Sequence, residues 1–188
     1  MRLLPSARAL AVTILLATPL AGAAQSPPFQ ATGEIYFLGF GVGGGASYSD
    51  DRIIGPTVNL TRREDGGWAG DLLGQNVDLL VTPTRLSAPN FDVHLERKGD
   101  LLIIRGNVFG QHFSVEMTPK ALSGRAGNCS FDLARREPGL LRGSIGCMTR
   151  RSSLPSTGSG TLKLAGDAAG REPSLPQLAL AFIAVLAS

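Results

Sequence analysis

The chain repeats a segment of its own sequence, and this repeat constrains the fold more than any other feature. Residues 70–87 and 106–123 are identical at seven of 18 positions, including two glycines, a glutamine and the Thr-Pro and Leu-Ser pairs. Within each copy, apolar and polar residues alternate, which predicts a strand with one buried face. The apolar positions are Val77, Leu79 and Val81 in the first copy and Phe113, Val115 and Met117 in the second.

A second pattern overlaps the repeat and occurs three times. It consists of a short alternating strand, a basic pair, a turn containing glycine, and a further strand that begins with an apolar residue. The segments are NLTRREDGGW from Asn59, VHLERKGDL from Val93 and DLARREPGL from Asp132. We interpret each as a hairpin whose long second arm contains two glycines, which let a sheet bend sharply. These glycines are Gly70 and Gly74, Gly106 and Gly110, and Gly143 and Gly146.

Three such hairpins in series predict a mainly β fold over residues 32–170, either a curved antiparallel meander or a barrel. A glycine-kinked strand from Gly33 and a closing strand from Gly160 would complete it. If residues 137–139 form a three-residue loop, the register of the third hairpin places Cys129 opposite Cys147. A disulfide there would clamp the open end of that hairpin and contribute about 3 kcal/mol by loop-entropy arguments.

The first residues predict a signal peptide over 1–24, followed by a linker over 25–31. Arg2 and Arg8 give a basic start, an apolar stretch follows, and small residues precede Gln25. This leader holds two of the 18 basic residues and none of the 15 acidic ones, so the remaining chain has a net charge of +1. A nearly neutral chain without a basic cluster argues against a nucleic-acid partner. We predict a secreted or periplasmic protein, in which paired cysteines are expected.

The last residues, 171–188, predict an apolar helix that packs on the β domain. Most of its large apolar side chains gather on one broad face of a helical wheel, and Gln177, Ala181 and Ala184 lie opposite. A helix of this length is too short to span a membrane, so we expect no membrane span in the mature chain. The small residues at 168–170, followed by a polar spacer and an apolar end, also fit a removable lipid-anchor signal.

Three features are candidates for chemistry, and each has a simpler structural explanation. GFGVGGGAS from Gly39 contains the glycines of a dinucleotide fingerprint but is not followed by a predicted helix. Asp50 and Asp51 supply too few oxygens for calcium. His94 and His112 are each expected beside acids on a polar sheet face, where such residues are common for solubility. We therefore predict no metal and no cofactor, and keep a hydrolase using His94 or His112 as an alternative.

The basic pairs are the candidate binding residues. Each occupies the same place in its hairpin, just before the turn, so a meander would align all three pairs along one rim. Such a rim fits an anionic polysaccharide, a lipid headgroup or an acidic protein, although neighbouring acids would neutralise much of it. The pairs are Arg62 and Arg63, Arg97 and Lys98, and Arg135 and Arg136.

The sequence thus favours a small exported β domain, and a non-enzymatic binding or envelope-associated structural module over an enzyme. Two alternatives stay open at this point. One is the secreted hydrolase, and the other is a lipid-anchored surface protein whose C-terminal tail is removed.

Overall fold

In a computed structural model, the strands of the described residues form a closed β-barrel, and a C-terminal helix packs against them. The structure describes residues 29–39, 42–148, 155–166, 168 and 175–187. The predicted signal peptide over 1–24 and most of the linker over 25–31 lie outside these residues. The described part of the chain forms fourteen strands and the helix α1 (Leu175–Leu186).

The strands are β1 (Gly33–Gly39), β2 (Val42–Tyr48), β3 (Arg52–Gly55), β4 (Val58–Arg62), β5 (Trp68–Leu72), β6 (Gln75–Thr82), β7 (Arg85–Ala88), β8 (Phe91–Lys98), β9 (Leu101–Val108), β10 (Gln111–Thr118), β11 (Ala121–Ala126), β12 (Cys129–Glu137), β13 (Leu140–Cys147) and β14 (Ser156–Gly166).

Pairing between the first and last strands closes the barrel. Every other pair of neighbours is consecutive in sequence and antiparallel, as in a meander. Strand β1 pairs with β2 on one side and with β14 on the other, where Gly33 lies opposite Gly166 and Gly39 opposite Gly160. The predicted opening and closing strands are therefore confirmed, and of the two predicted arrangements the chain adopts the barrel, which leaves no free sheet edge.

The strand directions give the barrel two distinct ends. Because all neighbours are antiparallel, the even-numbered strands run the same way and finish together. We call the end where they finish the upper end; its described turns are 49–51, 63–67, 83–84, 99–100, 119–120 and 138–139. The lower end carries the turns 56–57, 73–74, 89–90, 109–110 and 127–128.

The helix lies inside the barrel rather than on its surface. Each residue from Leu178 to Leu186 is at most 4% exposed, which buries every face of the helix. A helix packed on the outside of a closed barrel would leave one side in water. The prediction of a helix packed on the β domain is confirmed. The barrel wall surrounds the helix, so Ala181 and Ala184, opposite its large apolar face, are also fully buried.

Hydrogen bonds attach both ends of the helix to barrel turns. Near its start, the Gln177 side-chain amide donates to the main-chain carbonyls of Ser49 and Asp50, at 3.1 and 3.0 Å. Near its finish, the Thr57 hydroxyl donates to the Ala184 carbonyl at 2.8 Å, one of the last helical carbonyls, which lack a partner within the helix. The helix therefore begins at the upper end of the barrel and finishes at the lower end.

Glycines within strands allow the wall to bend, as predicted for Gly70, Gly106 and Gly143. A Cβ on Gly106 would lie 2.0 Å from the Asp92 carbonyl oxygen on the neighbouring strand, and a Cβ on Gly143 would lie 1.9 Å from that of Asp132. Neither distance is sterically allowed. The close approach of the backbones at these points is thus available only to glycine.

The predicted long second arm is wrong in the first two hairpins. Gly74 and Gly110 have φ of +74° and +85° and lie in two-residue turns after Leu73 and Phe109. Each of these arms is therefore two strands, β5 with β6 and β9 with β10. The turns were missed because Leu-Gly and Phe-Gly lack the Asn or Asp that normally indicates such a turn. In the third hairpin, Gly143 and Gly146 share one strand, β13, as predicted.

The disulfide and its register are confirmed. Cys129 and Cys147 are bonded and lie opposite each other, at the open end of the β12–β13 hairpin. The turn differs in detail from the predicted three-residue loop. Glu137 pairs with Leu140, so the turn is 138–139, and the register shifts between Arg135 and Glu137.

Candidate functional site

The three basic pairs lie at the upper end of the barrel. They are at or near the last residues of β4, β8 and β12, which run in the same direction. The helix also begins at this end, where Gln177 contacts the β2–β3 turn. The alignment of the pairs along one rim is thus present, while their binding role stays a prediction.

Within each pair, the first residue belongs to the row that faces the lumen. Arg62 follows buried Leu60 by two positions, Arg97 follows Leu95, and Arg135 follows Leu133. The residues opposite them on the next strand, Trp68, Leu102 and Leu141, are all buried. Since alternate residues of a strand share a face, we call Arg62, Arg97 and Arg135 the inner arginines.

The second residue of each pair lies in the outward row, and we call Arg63, Lys98 and Arg136 the outer basic residues. Two of them are neutralised by acids. The Arg63 guanidinium contacts Asp78 at 2.7 Å and Asp65 at 2.9 Å, and the Lys98 ammonium contacts Glu96 at 2.8 Å. The sequence expectation of acidic neutralisation therefore holds for these outer positions.

Two of the inner arginines, Arg62 and Arg135, differ from Arg63 and Lys98 in their surroundings. All three inner arginines are exposed, and neither Arg62 nor Arg135 has an ion pair with any residue in the described ranges. Successive inner arginines are four strands apart along the barrel wall. At about 4.8 Å per strand, this corresponds to about 19 Å along the rim.

The two histidines are exposed on the outer wall and are not brought together. His94 is on β8 and His112 on β10, with β9 between them. The nearest acid to His94 is Asp92, whose Oδ2 lies 4.0 Å from Nε2. Asp92 accepts two hydrogen bonds from Arg85, at 2.7 and 3.0 Å, and this guanidinium holds the pKa of Asp92 below its usual value. Its carboxylate is therefore already engaged by an arginine.

The remaining candidates form no recognisable site. The glycine-rich segment from Gly39 leads into the antiparallel strand β2, not into a phosphate-binding helix. Asp51 accepts a hydrogen bond from the Ser49 hydroxyl at 2.6 Å. In the part of the chain that the structure describes, no group of three His, Cys, Asp or Glu side chains could hold a metal ion.

Sequence reasoning missed one feature of the upper end, a pocket of about 570 Å³ beside the start of the helix. Arg62, Trp68 and Gln177 contribute to its lining. The alternation that identified β4 extends from Leu60 to Arg62. It was therefore sufficient to predict that Arg62 faces the lumen. The start of the helix completes the pocket. Its location within the barrel cannot be read from the local sequence.

Comparisons with protein-family models, with curated proteins and with solved structures find no match to this chain. Across the described ranges, the structure contains no helix long and apolar enough to cross a membrane.

Proposed function

We propose that the protein is an exported, non-enzymatic binding module that holds an anionic polysaccharide at the upper end of its barrel. The observation that supports this most is the contrast within the first basic pair. Arg63 is bound by two acids, whereas Arg62, like Arg135 of the third pair, faces the lumen side of the rim without an ion-pair partner in the described chain. Unpaired, exposed guanidinium groups are suited to sulfate or carboxylate groups.

The spacing of the inner arginines favours an extended ligand. A small anion could contact only one of them, because neighbouring inner arginines are about 19 Å apart along the rim. A polymer with regularly repeated negative charges could bridge two or three. Its affinity would then come from several weak contacts made at once.

The acids at the same end favour a flexible chain over a flat anionic surface. Acidic residues alternate with the arginines around the rim, among them Glu64, Asp65, Asp100 and Glu137. A bilayer or a broad acidic protein surface would meet these carboxylates together with the arginines. A single polysaccharide strand can follow the arginines and avoid the acids.

Export rests on the basic and apolar leader pattern and on the disulfide between Cys129 and Cys147, which is compatible with an oxidising compartment. The buried helix argues for a retained C-terminal tail. Cleavage at residues 168–170, as the lipid-anchor alternative requires, would remove residues 178–186 from the centre of the core. The barrel would then lose the helix that occupies the middle of its lumen.

The hydrolase alternative has weaker support, because His94 and His112 lie on separate outer strands and Asp92 is engaged by Arg85. Substituting His94→Ala and His112→Ala tests it. If either variant abolishes an ester, peptide or glycoside hydrolysis that the unaltered protein performs, with no change in its melting temperature, the non-enzymatic proposal is wrong.

The test of polysaccharide binding compares two triple charge reversals with the same change in net charge. One is Arg62→Glu, Arg97→Glu and Arg135→Glu; the other is Arg63→Glu, Lys98→Glu and Arg136→Glu. Binding to immobilised heparin and to polygalacturonate is measured by surface plasmon resonance at several salt concentrations. Thermal melts confirm that both variants are folded.

We expect the triple variant of the inner arginines (the inner triple) to bind the polysaccharides at least about tenfold more weakly, equivalent to about 1.4 kcal/mol. The salt dependence of binding should also be lost. The outer triple should have a clearly smaller effect. Equal effects would show that only net charge matters, and unchanged binding in both would exclude the rim. Binding to anionic vesicles but to neither polysaccharide would favour a lipid headgroup instead.

A further inference from the structure

The pocket at the upper end has a composition that suggests its own ligand. It lies between the first turn of the helix and the wall formed by β4, β5 and β6. Its volume of about 570 Å³ falls within the usual range for sites that bind small molecules. The lining residues are Asp50, Arg62, Gly66, Trp68, Val81, Thr82, Pro83, Pro176 and Gln177.

The pocket is present because the helix is not centred in the lumen. Its most extensive contacts are with β2, followed by β1 and β3. The lumen-facing row of β2 includes Gly44 and Ala46, whose small size permits a close approach. The helix therefore lies toward one wall, and a space is left on the side of β4 to β6.

Most of the lining is apolar. Trp68, Val81, Pro83 and Pro176 provide an aromatic ring and three aliphatic groups. Trp68 is only 2% exposed, so its ring is fixed by the core. Such a surface fits the hydrocarbon or aromatic part of a ligand.

Two opposite charges complete the lining. Arg62 and Asp50 both border the pocket, and both are exposed. They form no ion pair with each other or with another residue in the described ranges, so their charged atoms are more than 4.0 Å apart. The main chain at Asp50 is held in place by the Gln177 amide, which donates to its carbonyl at 3.0 Å.

From this arrangement we propose that the pocket binds a small zwitterion with an apolar body, its anionic group at Arg62 and its cationic group at Asp50. A ligand carrying both charges would bridge two side chains that do not neutralise each other. A simple anion would gain at Arg62 but would be repelled by Asp50. The same chemistry is found in free amino acids with apolar side chains and in phosphatidylcholine. This inference does not depend on polysaccharide binding at the rim.

The experiment uses ligands that differ by one charge. L-phenylalanine is compared with N-acetyl-L-phenylalanine, which lacks the ammonium, and with L-phenylalaninamide, which lacks the carboxylate. A second arm uses dihexanoylphosphatidylcholine below its micelle concentration. Trp68 is the only tryptophan of the chain, so its fluorescence reports directly on the pocket, and calorimetry confirms the affinities.

Four variants test which side chains contact the charged groups of the ligand. Asp50→Asn and Arg62→Gln each remove one proposed contact with little change in shape. Glu64→Gln and Arg135→Gln are matched controls, because they remove the same charges at the upper end from residues outside the pocket lining. Thermal melts of all four show whether folding is preserved.

We expect either L-phenylalanine or dihexanoylphosphatidylcholine to bind. The one that binds identifies the class of ligand. Removing either charge from the ligand should weaken binding at least about tenfold. Asp50→Asn should weaken binding of the zwitterion without weakening binding of its anionic analogue. The two control variants should bind both ligands as the unaltered protein does. Heparin binding should be unaffected by Asp50→Asn, which separates this inference from the proposed function.

Three results would overturn the proposal. The first is that neither zwitterion binds at millimolar concentration. The second is that N-acetyl-L-phenylalanine binds as tightly as L-phenylalanine, which would make the pocket a site for simple anions. The third is that Asp50→Asn binds L-phenylalanine or the phosphatidylcholine as well as the unaltered protein does.

Discussion

The two ends of the barrel are built from the same hairpins but differ in chemistry. At the lower end, Leu73 and Phe109 occupy the turns, pack against the core and are only partly exposed. Phe109 also lies 5.6 Å from the ring of Phe91, measured between ring centroids. At the upper end, the equivalent ends of the strands carry Arg, Lys, Asp and Glu. One end therefore places apolar side chains against the core, and the other presents charge to solvent.

The backbone at the lower end is strained at these two apolar turn residues. Leu73 and Phe109 have φ of +53° and +50°, a left-handed conformation that costs an L-residue about 1–2 kcal/mol. Asn or Gly would adopt it more easily. The apolar side chains at these positions pack against the core near the finish of the helix. The upper end has no such strain among its described non-glycine residues.

The largest expected effect comes from removing the helix that joins the two ends. A chain ending at Gly166 lacks the residues that fill the lumen, and we expect it to lose cooperative unfolding and to bind a hydrophobic dye. Phe182→Ala in the full chain, at a position with no exposure, should cost about 3–5 kcal/mol of unfolding free energy. Urea unfolding followed by circular dichroism measures both. A truncated chain that still unfolds cooperatively would contradict a lumen filled by the helix.

The next effect concerns the disulfide, which lies toward the lower end. Replacing both Cys129 and Cys147 by serine should lower the free energy of unfolding by about 3 kcal/mol, because the unfolded chain gains conformational freedom. The same urea titration measures it. Reductant should destabilise the unaltered protein and leave the double variant unchanged. If the double variant is as stable as the oxidised protein, the lower end does not depend on this clamp.

A smaller effect is expected at the hydrogen bond between Thr57 and the end of the helix. Thr57→Val removes the donor to the Ala184 carbonyl and should cost about 1–2 kcal/mol, since that partly buried carbonyl loses its partner. Thr61→Val, at an exposed position of β4, is the matched control and should change stability little. Equal losses in both variants would show that the helix end is not fixed by Thr57.

The smallest effect is expected on the outer wall, at Arg85 and Asp92. The Arg85 guanidinium lowers the pKa of Asp92, so the pair contributes stability above the pKa of an unfolded aspartate, about 3.9. That contribution is lost as the pH falls through the lower folded value. Asp92→Asn should remove this part of the acid dependence of the melting temperature. A variant with the same acid profile as the unaltered protein would show that the pair contributes nothing.

Much of the wall was predictable because its signals are local. Alternation identified the strands, Thr-Pro pairs marked where β6 and β10 finish, and hairpin register paired Cys129 with Cys147. The turns at Leu73 and Phe109 were not predictable, because tertiary packing there outweighs the usual preference for Asn or Asp.

The site was only partly predictable, and for a related reason. The three basic pairs could be aligned from their place in each hairpin, but their division into inner arginines and outer residues needed the alternation to be followed through Arg62, Arg97 and Arg135. The pocket beside Arg62 depends on where the helix begins, and the helix begins more than 100 residues after Arg62 in the sequence. A contact of that separation leaves no pattern in a single sequence.

The contrast between the two ends is tested most directly by amide hydrogen exchange with and without bound heparin. We predict slower exchange in the upper-end turns 63–67, 99–100 and 138–139, and no change in the lower-end turns 73–74, 109–110 and 127–128. Protection at the lower end, or bound heparin with no protection at either end, would contradict a barrel that binds its ligand only at the upper end.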